Sequence, residues 1–178
     1  NSGPMFVSPA PSLWLTLAFS AVLCVSLLVR FWLATRQIRH VALNRQTVPP
    51  AFSAEISLAA HQKAADYTIT KTRFGLLELA LGSAVLLAWT LLGGLNALNQ
   101  GLLEWLGGGM AQQLALLAGF ALISGLIDLP LTLYQTFVIE HRFGFNKMTL
   151  RLWLADLLKS TLMGLVIGLP IAALILWL

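Results

Sequence analysis

Four long apolar runs, separated by polar stretches, dominate the chain: residues 12–34, 74–95, 112–137 and 153–178. Each is close to the roughly 20 helical residues needed to cross about 30 Å of hydrocarbon. The runs are continuous and do not alternate apolar with polar positions, which excludes a membrane barrel and leaves helices as the way to satisfy the backbone in lipid. Between the first two runs, Pro49-Pro50 interrupts the chain, because proline lacks an N–H and restricts the residue before it. Phe52, Ile56, Ala59, Ala60, Ala64 and Tyr67 then recur at helical spacing, with Glu55, Lys63 and Asp66 between them. The pattern predicts an all-α integral membrane protein of about four transmembrane helices, with a cytoplasmic amphipathic helix in the first loop. That helix either lies on the membrane surface or packs on a cytoplasmic domain. The second loop, residues 96–111, is read as an interfacial turn. Its Gly107-Gly108-Gly109 has no preceding strand and no following lysine, so it is not a phosphate loop.

Composition sharpens this picture. The chain is 58% hydrophobic and 10% charged, against about 25% charged in soluble domains. The eleven basic residues are sorted by loop. Arg30, Arg36, Arg39, Arg45, Lys63, Lys71 and Arg73 flank or fill the first loop, and Arg142, Lys147, Arg151 and Lys159 the third. Lys/Arg-rich loops stay in the cytoplasm, so the expected topology has the N-terminus outside and the first and third loops inside. The net charge of +4 therefore reports orientation, and no nucleic-acid partner is expected. Trp14, Trp32, Trp89, Trp153 and Trp177 fall near the ends of runs and Trp105 in the second loop, as indoles at the headgroup level do. The single cysteine, Cys24, excludes an internal disulfide. Asn1-Ser2-Gly3-Pro4, ahead of Met5, reads as an expression scar.

Polar groups within the apolar runs mark candidate function. Ser124, Asp128, Thr132 and Gln135 share one helical face, and Pro130 interrupts it. This face is either a hydrogen-bonded seam or one wall of an aqueous cavity. Glu78 and Gly82 share a face of the second run, and Asp156 lies one turn before Lys159, within pairing reach. Gly164 and Gly168 form a G-x-x-x-G, a spacing that lets helices approach closely. His40, His61 and His141 form no close ligand pair, and there is no H-E-x-x-H, nucleophile elbow or P-loop. The residues themselves supply no complete catalytic site and no cofactor or metal site.

The stretch from Asp128 to Thr149, DLPLTLYQTFVIEHRFGFNKMT, followed by Asp156 and Lys159, resembles the CAAX prenyl endopeptidases. In that family a Leu-Pro…Tyr…Thr-Phe-Val-Ile-Glu span end leads into Gly-Phe-Asn…Thr. Arg36-Gln37, Val48-Pro49-Pro50 and Lys63…Tyr67…Lys71-Thr72-Arg73-Phe74 extend the resemblance over nearly the whole chain. His141 departs from it, standing where many members have a second acid. The resemblance implies a zinc metalloendopeptidase of seven membrane helices around a water-filled chamber, acting on C-a-a-X peptides or on membrane proteins. Zinc is expected in the full-length protein, held by an H-E-x-x-H helix and a downstream glutamate that this chain ends before reaching. The chain would then be the N-terminal membrane domain, residues 5–178, inactive alone and partnered by the bilayer, a C-terminal protease domain and a peptide or protein substrate. Its expected location is a bacterial inner membrane. Asp128, Thr132, Gln135, Tyr134, Glu140, Asn146 and Asp156 are the candidates for lining the chamber or docking the protease domain, with no catalytic residue among them. Phe143–Asn146 also reads as a plain helix–helix turn that uses Gly144 for its backbone angles. The alternative function is a self-contained four-helix transporter or scaffold subunit, in which Asp128 would be the deep acid.

Overall fold

A computed structural model describes residues 11–178, so residues 1–4, read above as a scar, lie outside the described residues. Five helices of more than one turn follow one another there: α1 (Pro11–Leu43), α2 (Leu58–Thr90), α3 (Gly94–Leu106), α4 (Met110–Tyr134) and α5 (Leu150–Trp177). No strand occurs among the described residues. Four segments are long and apolar enough to cross a membrane: Leu13–Leu43, Leu58–Thr90, Met110–Glu140 and Leu150–Trp177. The described chain divides into two compact units, one ending at Ser83 and the other running from Ala84 to Leu178.

In the first unit, α1 stays helical well beyond the predicted span and ends where the Asn44 amide donates to the His40 carbonyl at 2.8 Å. Such a bond competes with the next helical turn. A short 3-10 turn, Pro50–Phe52, follows the double proline. Ser57 then opens α2, its hydroxyl accepting from the Ala60 N–H at 3.2 Å in the manner of an N-cap. The amphipathic stretch predicted for the first loop is helical from Leu58 on. It is not separate from the second span: no proline or glycine lies between Leu58 and Phe74, so the two form one rod. Phe52 and Ile56 precede that rod.

In the second unit, the predicted interfacial turn is a helix instead. Leu95, Leu98, Leu102, Leu103 and Leu106 recur at helical spacing, which gives α3 an apolar face. Gly93 adopts φ 82° ahead of α3, and a Cβ on Gly94 would meet the Ala88 carbonyl oxygen at 2.8 Å. Glycine is required at that corner because the chain doubles back on its own backbone. Gln112, buried at the start of α4, donates its side-chain amide N–H to the side-chain Oδ1 of Asn99 on α3. A buried amide needs such a partner. Trp89 stacks edge-on against Phe120 with centroids 5.1 Å apart, and Trp153 against Phe137 at 6.3 Å. These two indoles are packing partners, whereas Trp14, Trp32, Trp105 and Trp177 are largely exposed.

Candidate functional site

The Tyr134–Thr149 region is the most elaborated part of the second unit. From Gln135 to Glu140 the helix widens into a π turn, a feature that often marks functional sites. A clasp reaches this turn from the far side of the bend. The Asn146 amide donates to the Thr136 carbonyl at 2.9 Å, taking an acceptor from the helical ladder. The Asn146 side-chain Oδ1 accepts from the Met148 N–H at 2.7 Å. The Glu140 carbonyl accepts from the backbone N–H groups of both Phe145 and Asn146, at 2.9 and 3.2 Å. Gly144, at φ 77°, turns the chain. Ile139 and Phe143 are buried beneath this bend, and the Thr149 hydroxyl caps α5 by accepting from the Leu152 N–H at 3.3 Å. Glu140 and Asn146 are thus brought together through backbone groups. The Glu140 carboxylate, half-buried, bonds to nothing among the described residues.

Among the described residues the polar face of α4 makes no side-chain hydrogen bond to another helix. Thr132 turns its hydroxyl back to the Asp128 carbonyl at 3.1 Å. The Asp128 carboxylate is exposed, Gln135 is half-buried in the π turn, and Tyr134 is exposed at the end of α4. Ser124 Oγ is enclosed and has no hydrogen-bond partner among the described residues. Asp156 and Lys159, within reach by spacing, do not pair; the Asp156 carbonyl accepts the Ser160 hydroxyl instead.

Between α4 and α5 lies an open groove of about 580 Å³, lined by Ala121, Gly125, Leu129, Thr161, Gly164 and Gly168 among others. Among the described residues no helix makes the close approach that Gly164 and Gly168 would permit, since a Cβ on either would meet open space. Small side chains here shape a cleft.

The first unit holds a second polar cluster that sequence reasoning did not pair. Arg45 forks onto both carboxylate oxygens of Asp66, each at 2.7 Å. Gln62 donates to Gln46 at 2.9 Å, and the His61 ring lies 3.0 Å from the Asn44 carbonyl. Asp66 raises the Arg45 pKa, first through the hydrogen bonds and then through charge. The one available signal was the opposite charge of residues brought together by the Pro49-Pro50 reversal.

No group of three or more His, Cys, Asp or Glu side chains among the described residues is placed to hold a metal ion. The residues present do not fit a zinc site, and no reaction step is assigned to one here. The arrangement can enclose, orient and dock.

Comparison with known proteins identifies a family. A family profile described as "CAAX prenyl protease N-terminal, five membrane helices" matches residues 37–178. The chain is 33% identical over 172 residues to CAAX prenyl protease 1 homolog of Oryza sativa subsp. japonica, covering 86% of the chain and 38% of that protein. It is 32% identical to the Homo sapiens homolog, covering 89% of the chain and 35% of that protein. Crystalline Ste24p of S. mikatae superposes with a TM-score of 0.80 at 29% identity, over 89% of this chain and 38% of that one. The chain therefore spans little more than a third of the length of these relatives.

Proposed function

The chain belongs to the CAAX prenyl protease family, and from that premise we propose that it is the chamber-forming membrane domain of a zinc metalloendopeptidase that trims C-a-a-X peptides. The observation carrying this reading is the match of residues 37–178 to the family's N-terminal membrane region. The zinc ligands and general base would come from the remainder of a protein of the relatives' length. In this reading Asp128, Thr132 and Gln135 face the chamber water, which suits the exposed Asp128 carboxylate and a polar stripe along α4. Tyr134 and Asp156 stand at the chamber rim. Glu140 and Asn146 shape the bend on which the protease domain docks, and the free Glu140 carboxylate is available to a basic partner. In this reading the bend lies on the cytoplasmic side and the N-terminus on the opposite side of the membrane, which the basic residues of the first and third loops support.

The test is made on the full-length protein in detergent with a farnesylated C-a-a-X peptide, and cleavage is read by mass spectrometry. Release of the terminal tripeptide, abolished by a zinc chelator and restored by added zinc, is the expected result. An intact peptide with a stoichiometrically zinc-loaded protein would remove the substrate assignment. A full-length protein that binds no zinc would remove the protease assignment altogether.

A further inference from the structure

The membrane-facing part of α1 carries a feature that the protease reading does not use. Leu23, Leu27, Ala34, Ile38 and Val41 are half-buried and recur at intervals of three, four and seven. On the opposite side of the same helix a second stripe is exposed throughout: Val25, Leu28, Trp32, Arg36, Arg39 and Leu43. Its chemistry is graded along the axis. Two aliphatic side chains come first, then an indole, then two guanidinium groups. The Arg36 guanidinium carbon sits 4.9 Å from the Trp32 ring centroid, a cation–π pair. Neither Arg36 nor Arg39 meets a carboxylate among the described residues, whereas Arg45, a few residues on, is taken by Asp66. From Trp32 to Arg39 the helix rises about 10 Å. That is on the order of the 5–8 Å occupied by one headgroup layer, the difference between half of a roughly 40–45 Å bilayer and half of its roughly 30 Å core.

We propose that this face of α1 is a seat for an anionic phospholipid. Val25 and Leu28 lie along an acyl chain, the Trp32 indole sits at the glycerol level, and Arg36 and Arg39 hold the phosphate and its acidic headgroup. The cation–π contact pre-orients Arg36 toward the lipid side of the helix, and guanidinium suits bidentate phosphate binding better than an ammonium would. Basic residues just beyond a span attract anionic lipid at about 1 kcal/mol each. An indole above two unpaired arginines adds a defined depth to that attraction, which is what separates a seat from a diffuse basic surface.

The experiment is native mass spectrometry of the full-length protein in mixed micelles of equal phosphatidylglycerol and phosphatidylcholine. The unsubstituted protein should retain phosphatidylglycerol in preference to phosphatidylcholine. The Arg36→Gln/Arg39→Gln variant should lose about 30-fold in phosphatidylglycerol affinity, as two arginines at about 1 kcal/mol each require. Arg39→Gln alone, at an exposed position with no partner to orphan, should lose about fivefold and serves if the double variant is poorly folded. Lys63→Gln removes a charge elsewhere in the same loop and should leave retention unchanged. Equal retention of the two lipids, unchanged retention in both arginine variants, or an equal loss in Lys63→Gln would each overturn the seat. Full displacement of the lipid by millimolar inorganic phosphate would overturn the lipid assignment in favour of a free-phosphate site.

Discussion

Two bends of this molecule are closed by different chemistry. Between α1 and α2, side chains meet side chains across 16 to 21 residues: Gln62 with Gln46, and Arg45 with Asp66. Between α4 and α5, one residue closes the bend by binding backbone on both sides, since Asn146 donates to Thr136 and accepts from Met148. The side-chain contacts that close the first bend are polar and partly exposed, so water can replace them. The second adjoins the end of a membrane span and contains a π turn, whose freed carbonyl needs a donor. An unsatisfied backbone group near lipid costs several kcal/mol. A single amide therefore matters more at the second bend than an ion pair does at the first.

Replacing Asn146 should break the comparison most visibly. Asn146→Ala removes one donor and one acceptor and orphans the Thr136 carbonyl, for a loss of about 2–3 kcal/mol. Its apparent melting midpoint in detergent, followed by circular dichroism, should fall more than that of any single variant in the first bend. Asn146→Asp keeps the acceptor to the Met148 N–H but loses the donor, and should recover only part of the loss. An Asn146→Ala protein that melts like the unsubstituted one would mean that the π turn stands without its clasp.

Gly144→Ala attacks the same bend through the backbone. At φ 77° a Cβ is disfavoured by roughly 1–2 kcal/mol, so the midpoint should drop by less than in Asn146→Ala. Gly144→Asn, a residue that tolerates this region, should recover most of the loss. If Gly144→Ala is neutral, the bend adjusts its angles freely and the rigidity assigned to it is wrong.

The first bend should respond weakly and in a salt-dependent way. Asp66→Asn removes the charge but leaves hydrogen-bonding atoms, and both partners are partly exposed, so the midpoint should shift less than in Gly144→Ala. Molar salt should shrink the difference between Asp66→Asn and the unsubstituted protein, because exposed pairs are screened. Asp66 raises the Arg45 pKa, so the stabilisation is fully present below the ordinary guanidinium value and is lost only as pH rises through the raised one. The arginine side of the pair should thus contribute no pH dependence between about pH 5 and 9. A difference that grows with salt would show that the pair is not electrostatic in origin.

Legibility in the sequence followed the range of each interaction. The apolar runs depend only on local composition, and they anticipated four membrane-length helices. The second loop misled because its glycines dominated the reading. Gly107, Gly108 and Gly109 sit after α3, and the leucine spacing before them, from Leu95 to Leu106, is helical. Asn146 was visible as part of a distinctive motif, but its role was not. That role depends on Thr136, ten residues away, and on a widened helix that no propensity scale encodes. Arg45 and Asp66 are 21 residues apart, and only the reversal at Pro49-Pro50 makes them neighbours. The polar face of α4 was legible as a face because periodicity defines it. What that face meets depends on groups that the described residues do not supply.

The smallest expected effect concerns the groove between α4 and α5, where neither kind of clasp operates. A Cβ on Gly164 or Gly168 meets open space, and both residues lie within α5. Gly164→Ala therefore adds no clash and removes a flexible residue from a helix interior, a change favourable by about 0.5–1 kcal/mol. The melting midpoint should stay level or rise slightly. In a protein of the relatives' full length, under the proposed function, Gly164→Leu would project a larger side chain into the 580 Å³ cleft. If the cleft stays open to water or lipid, that variant should retain both stability and peptide cleavage. If another helix of the full-length protein fills it, stability and cleavage should fall together. Gly164→Ala in the isolated chain compared with Gly164→Leu in the full-length protein thus separates an open cleft from an occupied one.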